Sequence, residues 1–573
     1  MKNKLLKLKS YTMQDFMKLI LILCILFSFC VFLLGPLCIL FVKAFQNKDG
    51  DFTGFAQFAQ YLSSPNMVAS LGNTLFIAVT STVISVALAF CMAYVLTRRK
   101  IPFRGFFRFL SMLPMFAPTM LFGMSLIYLF GNKGLITQLG LRLPIYGRLG
   151  IVIAESIYCF PVALMILMVA FSAADNRLYE AAEAMGTSPF RKLMTITIPG
   201  IKYGLINAVF VCFTYSFTDF GAPSIVGGNY NVLATDIYKQ VIGQQNFNMG
   251  AVVGIIMMIP TVISFVVDRL TSSRQASAIT ARSVPYQIKP AKGADRAGLI
   301  FCIVISALLI GFFAVSFYGA VVTSWPYNMK LTWSHFDFSQ IDAGNGLRSL
   351  LQSLKVSALT AVCGTIAAFL TAYLIEKLNV FPKLRKVLYF FSITPNAVPG
   401  TVIGLSFILF FNPRWFQIPG TALAVENGFN FLYGTTAILV IVNIIHYFSV
   451  PFVTASTALK RLDKEFEIVS DSLKVPLIRT FFRITVPISA GAVWEMFIYY
   501  FMNGMITVSA VIFLYTPLTK IASVVILNVQ GAGDDAEAAA LCMVIFGINI
   551  IVRLVYELVN KKIRKKTEKW MHR

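Results

Sequence analysis

Long apolar runs recur along the whole chain. A run of roughly 20 residues is long enough to cross the hydrocarbon core of a bilayer as a helix. We predict twelve such spans, numbered in chain order. Their approximate bounds are 19–42, 70–96, 106–129, 151–171, 205–225 and 251–267, followed by 299–322, 354–374, 387–410, 437–452, 492–513 and 538–555. The pattern therefore predicts an all-α membrane protein with about 12 transmembrane helices.

Composition and charge agree with this interpretation. Hydrophobic residues make up 57% of the chain and charged residues only 13%, whereas soluble proteins have roughly 25% charged residues. The formal net charge of +24 is concentrated at the amino terminus, at the carboxyl terminus and in every second connection. Basic loops mark the cytoplasmic side of a membrane protein. We therefore expect both termini to be cytoplasmic, and we attribute the basic excess to topology and not to nucleic-acid binding.

The chain consists of two halves with the same design. A polar linker, 271–297, separates a first transmembrane domain, 1–270, from a second, 298–573. Span three carries a Pro, Pro, Gly, Ser pattern that span nine repeats at identical spacing, namely Pro114, Pro118, Gly123 and Ser125 against Pro395, Pro399, Gly404 and Ser406. Six spans in each half make the two repeats parallel, which predicts a solute path at the seam between them. Pro118 and Pro399 are candidate walls of that path, or they only kink a packed helix.

A cytoplasmic loop between spans four and five, 175–200, has a distinctive local pattern. Ala181, Ala182 and neighbouring small residues predict a helix that another surface can approach closely. Gly186 permits a left-handed turn that a side chain would resist. Ser188 and the proline after it then begin a second helix as N-cap and first-turn residue. The sequence thus predicts a short helix, a turn and another helix.

This stretch resembles the EAA loop of the permease subunits of bacterial ATP-binding cassette importers, with Glu180, Ala181, Ala182 and Gly186 at the family spacing. The resemblance implies that these residues couple the spans to a separate ATPase. It also implies two ATP-binding cassette subunits, an extracytoplasmic solute-binding protein as partner, and a multi-pass location in the bacterial inner membrane, in contact with lipid. No Gly-Lys pair of a P-loop occurs in the chain, so we expect ATP hydrolysis by another subunit.

The second half has its own copy of the loop, 463–488. Ile468 takes the place of the glutamate and Lys474 that of the glycine, while Glu467 is an alternative acid one residue earlier. We therefore take Glu467, Ser470 and Lys474 as the coupling residues of this copy. Whether the two loops contribute equally stays open.

The segments Thr218–Pro223 and Ser509–Phe513 resemble the ferric-iron and 2-aminoethylphosphonate branch of the family. Polyamine and thiamine permeases are the alternatives.

An intramembrane acid is costly, so Asp219 is a functional candidate. It either donates a hydrogen bond to a backbone carbonyl or lines the path. The other candidate path residues are polar positions of span eleven, namely Asn503, Thr507 and Ser509, of which Thr507 matches Asp219 in the repeat.

Other classes of protein fit the chain less well. An ion-coupled secondary transporter usually needs charged relay residues inside the membrane, and we interpret Asp219 as the only deep acid. Glu155, Glu495 and Lys355 are expected near span ends, at the membrane interface. The three histidines lack clustered carboxylates or cysteines. We therefore expect no catalytic, cofactor or resident metal site, and a transport protein that is not an enzyme.

Overall fold

The computed structural model describes residues 13–278, 286–342, 344–378, 380–417, 424–463, 469–470, 472–473 and 475–571. Helices dominate this part of the chain. Two of the predicted coupling residues, Glu467 and Lys474, lie outside the described residues.

The first half and the linker contain these α-helices: Met13–Phe29, Gly35–Ala44, Ala56–Ser63, Pro65–Arg98, Arg104–Met112, Thr119–Phe130, Leu135–Gln138, Gly150–Ser172, Asn176–Ala184, Pro189–Lys192, Ile198–Thr218, Gly221–Val226, Leu233–Tyr238 and Phe247–Ala278. Short π-helical stretches at Cys30–Leu34, Leu193–Thr197 and Lys239–Gly243, a 3-10 turn at Leu113–Phe116, and a kinked turn at Ile145–Leu149, where Tyr146 and Gly147 are not helical, join or extend them.

The second half contains α-helices Lys292–Val321, Gly346–Glu376, Pro382–Ile393, Gly400–Phe411, Thr436–His446, Ser449–Lys460, Leu477–Thr480, Val486–Ile488, Ala490–Ile506, Ala522–Ala532 and Asp535–Met571. It also has 3-10 turns at Ser334–Phe336, Thr394–Ala397 and Asn430–Leu432 and a π-helical stretch at Phe481–Thr485. Val322–Ser324 pairs with Asn328–Leu331, and Trp415–Gln417 with Ala424–Glu426, as two antiparallel hairpins.

Within the described residues, nine helices are long and apolar enough to cross a membrane, and the number rises to twelve when each of three bent helix pairs is taken as one span. The bent pairs are spans nine, ten and eleven, with angles of 110°, 56° and 79°. The predicted fold class, an all-α membrane protein with about 12 transmembrane helices, is confirmed.

The helices group into two compact units that do not follow the two sequence halves. One unit comprises 55–346 and 525–546, and the other comprises 1–54, 347–524 and 547–573. Span seven, the first span of the second half, thus belongs with the first-half helices, and span one belongs with the second-half helices. The domains 1–270 and 298–573 remain a prediction from the sequence repeat. Each compact unit contains residues from both of them.

Small residues allow span seven to pack closely in its unit. The Ser125 and Ser316 hydroxyls lie 2.9 Å apart, and a Cβ added at Gly319 would lie 2.5 Å from the Tyr128 ring. The ring of Phe313 stacks on that of Phe546 with 4.3 Å between centroids. These contacts add span seven to the five first-half spans of this unit, spans two to six.

Span one makes comparable contacts in the other unit. The Phe29 ring meets the Phe448 ring edge-on at 5.1 Å between centroids. A Cβ at Gly35 would lie 2.9 Å from the Phe410 ring. Close packing of aromatic rings against glycine thus fixes span one among the second-half helices.

Spans three and nine are broken where the sequence analysis predicts continuous helices, 106–129 and 387–410. Ala117 has ψ 148° and Val398 has ψ 121°, both extended, and a new helix begins after the following proline in each case. The proline ring clashes with helical geometry at the preceding residue. Pro118 and Pro399 therefore end one helix and begin another, which is a stronger effect than a kink.

Spans five and eleven also end earlier than predicted. Helix Ile198–Thr218 stops at Asp219 (φ −66°, ψ 139°), and helix Ala490–Ile506 stops at Thr507 (φ −63°, ψ 135°). Continuous helices to residues 225 and 513 were wrong. The two repeats place the same extended residue at the same point, so the break is part of the shared design.

Candidate functional site

The first EAA-like loop forms the predicted helix, turn and helix. The Asp175 carboxylate caps helix Asn176–Ala184 by accepting a bond of 3.1 Å from the backbone N–H two residues later. Ser188 caps helix Pro189–Lys192 through a 3.4 Å bond from the N–H three residues later. Both helix starts are therefore encoded locally, by a capping side chain and, in the second helix, by proline in the first turn. We call Asn176–Ala184 the first coupling helix.

The first coupling helix ends in a Schellman motif. The Thr187 N–H donates to the Ala182 carbonyl at 3.0 Å, and the Gly186 N–H donates to the Glu183 carbonyl at 2.9 Å. Gly186 has φ +66°, in the left-handed region, and a Cβ there would point into open space. The glycine is required by backbone geometry and not by lack of room.

The first coupling helix has two distinct faces. Asn176, Tyr179 and Ala182 are buried, so Ala182 lets the helix approach its own unit closely. Glu180 and Ala181 are exposed, and the Glu180 carboxylate accepts a 2.6 Å bond from the Asn176 amide. Large apolar side chains are exposed around this face, namely Leu178, Met185, Phe190 and Met194 at 58%, 76%, 69% and 46%.

A buried arginine anchors the inner face of this helix. Arg98, at the end of span two, is only 5% exposed and donates a 3.0 Å bond to the Phe171 carbonyl. Its guanidinium lies over the Tyr286 ring at 4.0 Å and over the Tyr179 ring at 5.2 Å. Cation–π contacts of this kind are stronger when the cation is desolvated. Arg98 thus joins spans two and four, the coupling helix and the linker.

Residues 286–289 of the linker run across the first coupling helix, and we call them the linker strap. The Gln287 N–H donates to the Asn176 side-chain oxygen at 3.2 Å, and Lys289 forms an ion pair with Glu183. This ion pair lowers the pKa of the Glu183 carboxyl and raises that of the Lys289 ammonium. Sequence reasoning missed the strap; the signal is Tyr286, a large aromatic residue in a polar linker.

The second loop keeps the same backbone pattern where it is described. The Val475 N–H donates to the Ser470 carbonyl at 2.9 Å, and the Leu473 N–H donates to the Val469 carbonyl at 2.9 Å. These residues match Thr187, Ala182, Met185 and Ala181 in the repeat. The helix-ending bonds of the first loop therefore recur without a glycine. Ser470 also forms a buried side-chain hydrogen bond to Thr480.

Asp219 caps the short helix that follows span five. Its carboxylate accepts a 2.9 Å bond from the Ala222 N–H and a 3.2 Å bond from the Thr119 hydroxyl. The predicted donation to a backbone carbonyl is not among these contacts and stays a prediction. Helix Gly221–Val226 begins where this carboxylate satisfies its first turn.

The matching break in span eleven has neutral residues. The Thr507 carbonyl accepts a 2.6 Å bond from the Ser523 hydroxyl, while the Thr507 hydroxyl is buried without a partner among the described residues. The Asn503 amide donates to the Tyr499 carbonyl of its own helix at 2.8 Å. Of the predicted path residues in this span, Asn503 therefore has a side chain bonded to its own helix, whereas the Thr507 side chain has no partner among the described residues.

Thr119 and Gly221 form a complementary pair that the second half reverses. A Cβ at Gly221 would lie 2.1 Å from the Thr119 hydroxyl oxygen, and a Cβ at Gly400 would lie 2.4 Å from the Ser509 hydroxyl oxygen. Gly400 follows Pro399 as Thr119 follows Pro118, and Ser509 matches Gly221. Each half therefore fills the same space with one hydroxyl. In the first half the helix after the proline supplies it, and in the second half the segment after the helix break supplies it.

Glu155, predicted near the membrane interface, is enclosed by protein. This span-four residue is 0% exposed, and neither carboxyl oxygen has a hydrogen-bond partner among the described residues. Its carboxyl lies close enough to that of Asp219 for their charges to interact. Sequence reasoning missed this residue because it judged depth from the end of an apolar run. Glu495, also predicted near the interface, is exposed.

Comparison with known proteins identifies the family. The model described as "Binding-protein-dependent transport system inner membrane component" matches the chain twice, over residues 81–277 and 360–565. The chain belongs to this family. It is a fused permease of the ATP-binding cassette importer type, with the two family domains in one polypeptide, and the predicted membership is confirmed.

Several relatives of the permease span most of its length. The ferric transport system permease protein FbpB of Actinobacillus pleuropneumoniae is 25% identical over 562 residues, covering 94% of this chain and 77% of that protein. A putative ferric permease, FbpB 1, of Haemophilus influenzae is 26% identical, covering 87% and 78%. The sulfate permease protein CysT of Escherichia coli is 27% identical over 203 residues, 35% of this chain and 71% of that protein.

The conformation of Gly186 yields a prediction for the first loop. Gly186→Ala should lower the free energy of unfolding by about 1 kcal/mol, because a Cβ disfavours the left-handed region. Gly200→Ala is the matched control, since Gly200 is helical and also faces open space. Thermal unfolding of the purified permease measures both. Equal stability of the two variants would show that the turn does not depend on glycine.

The linker strap yields a second prediction. Tyr286→Ala removes the ring from Arg98 and should speed amide hydrogen exchange in the first coupling helix, because a desolvated cation–π contact contributes about 1 to 2 kcal/mol. Tyr286→Phe keeps the ring and should preserve slow exchange. Mass spectrometry of exchange in peptides covering 176–184 distinguishes them. The strap has no positioning role if the alanine variant exchanges like wild type.

The reversed hydroxyl pair yields a third prediction. Gly221→Ser alone should destabilise the permease by about 1 to 3 kcal/mol through overpacking against Thr119. Adding Thr119→Gly reproduces the arrangement of the second half and should recover part of that loss. A double-mutant thermal-unfolding cycle measures the coupling. Strictly additive effects would rule out a shared space.

Proposed function

We propose that this permease carries ferric ion into the cell, powered by two ATP-binding cassette subunits that bind its two loops. In this proposal an extracytoplasmic binding protein delivers the ion. The permease lies in the bacterial inner membrane with both termini in the cytoplasm, which places the two loops on the side where ATP is available.

The observation that carries the proposal is a matching set of exposed apolar side chains on the two loops. Met185, Phe190 and Met194 of the first loop are matched in the repeat by Leu473, Ile478 and Phe482, exposed at 70%, 56% and 65%. Exposed apolar residues grouped beside polar ones are typical of a protein interface. Two equivalent surfaces support two equivalent partners, as a pair of ATPase subunits requires.

Ferric ion is the cargo that the relatives and the buried charges favour together. The ferric permeases align over most of the chain, whereas the sulfate permease aligns over about a third of it. The carboxylates of Glu155 and Asp219 would repel an anion but suit a hard cation, which prefers oxygen ligands. A 2-aminoethylphosphonate-like solute, polyamines and thiamine remain the alternative cargoes. In this proposal the residues that line the path are Asp219, Asn503, Thr507, Ser509, Pro118 and Pro399.

The docking surfaces can be tested by charge insertion. Met185→Glu and Leu473→Glu should each weaken co-purification of the ATPase subunits, because an apolar contact is replaced by a buried charge. Phe52→Glu is the matched control, since Phe52 is 75% exposed but lies outside both loops. Loss of ATPase binding in the control, or its retention in both loop variants, would contradict docking at these surfaces.

The cargo can be tested in proteoliposomes that contain the permease, its ATPase subunits and the binding protein. Radiolabelled ferric ion should accumulate only when ATP and all components are present. Unlabelled 2-aminoethylphosphonate, spermidine and thiamine should not compete. Uptake driven by a proton gradient without the ATPase subunits would instead identify a secondary transporter, and competition by one of these solutes would reassign the cargo.

A further inference from the structure

The carboxyl groups of Glu155 and Asp219 interact electrostatically in the part of the fold where spans three, four and five meet. Glu155 comes from the second turn of helix Gly150–Ser172, and Asp219 from the break after span five. The Thr119 hydroxyl, from the helix after Pro118, bonds Asp219 at 3.2 Å. Three oxygen-bearing side chains from three spans thus converge on one place.

The Glu155 carboxyl is the unusual member of this group. It is fully buried, no N–H or O–H donor of another residue type bonds its oxygens among the described residues, and the Asp219 carboxyl is close enough to share a proton with it. A buried polar group without a partner costs free energy, and two adjacent ionised carboxylates cost far more. Some positive species must therefore accompany the pair, either a proton or a metal cation.

The repeat provides an internal comparison. The residues that match Glu155 and Asp219 in the second half are Asn443 and Thr507, which are 0% and 3% exposed. The Asn443 amide and the Thr507 hydroxyl also lack partners among the described residues. Neutral side chains therefore suffice to build the same helix break. The helix break therefore does not require the negative charge of Glu155 and Asp219.

We propose that Glu155 and Asp219, assisted by the Thr119 hydroxyl, form a transit site for a hard cation. This inference rests on the proposed function, because ferric ion is a cation of that class. The described residues contain no group of three or more His, Cys, Asp and Glu side chains placed to hold a metal ion. A site with only a few protein ligands binds its ion weakly enough to release it, as transport requires.

The experiment uses terbium(III), a trivalent ion that prefers oxygen ligands and whose luminescence is sensitised by nearby tyrosines. Tyr158 lies one helical turn from Glu155, and its ring stacks on that of Tyr215 at 6.0 Å. Terbium is titrated into the full-length permease in nanodiscs of uncharged lipid. Saturable sensitised emission is expected, and it should weaken as the pH falls, since protons compete for the carboxylates.

Glu155→Gln and Asp219→Asn should each weaken terbium binding by about tenfold or more, as loss of a metal-binding group usually does. Glu495→Gln is the matched control, because it removes an exposed carboxylate from a span of the second half. Thr119→Val removes only one hydroxyl and tests the site if an amide variant unfolds. Size-exclusion chromatography and thermal unfolding confirm that each compared variant is folded.

Retention of wild-type binding by folded Glu155→Gln or by folded Asp219→Asn overturns the proposal, as does an equal loss in Glu495→Gln. Wild-type ferric uptake by Glu155→Gln overturns it as well, since an amide would then replace the carboxyl in a merely structural role. The proposed function fails separately: terbium binding that depends on the pair, together with no ferric uptake by the wild-type transporter, keeps the cation site and rejects ferric ion as cargo.

Discussion

Every backbone polar group inside the membrane must find a partner within the protein, because lipid offers none. The helix breaks of this permease follow that constraint. At the span-five break the Asp219 carboxylate accepts from the Ala222 N–H, and at the span-eleven break the Ser523 hydroxyl donates to the Thr507 carbonyl. The permease can therefore interrupt its helices at membrane depth only where a side chain completes the hydrogen bonding.

The same constraint explains why the breaks of spans three and nine contain proline. Pro118 and Pro399 have no N–H to satisfy, and each forces the residue before it into an extended conformation. A new helix then starts with its fixed φ already supplied by the proline ring. Proline thus ends and restarts a span without leaving its own N–H unpaired.

The sequence predicted those features that depend on local pattern. Apolar run length located the twelve spans, and Gly186 and Ser188 predicted the turn of the first loop through backbone geometry and capping. Features that depend on distant partners were missed. The packing of span one among second-half helices, the strap through Tyr286 and the burial of Glu155 all require knowledge of which helices are neighbours, which periodicity does not provide.

The reversed hydroxyl pair bears on how the two halves diverged. If one duplicated ancestor had Thr–Gly at these positions, reaching Gly–Ser takes two substitutions, and the order matters. A route through two hydroxyl-bearing residues crowds a space that holds one, while a route through two glycines leaves a small void, which is the milder defect. A chain that combines one member of the pair from each half therefore has either two side chains crowded into this space or none, so the two positions keep their packing only when they change together.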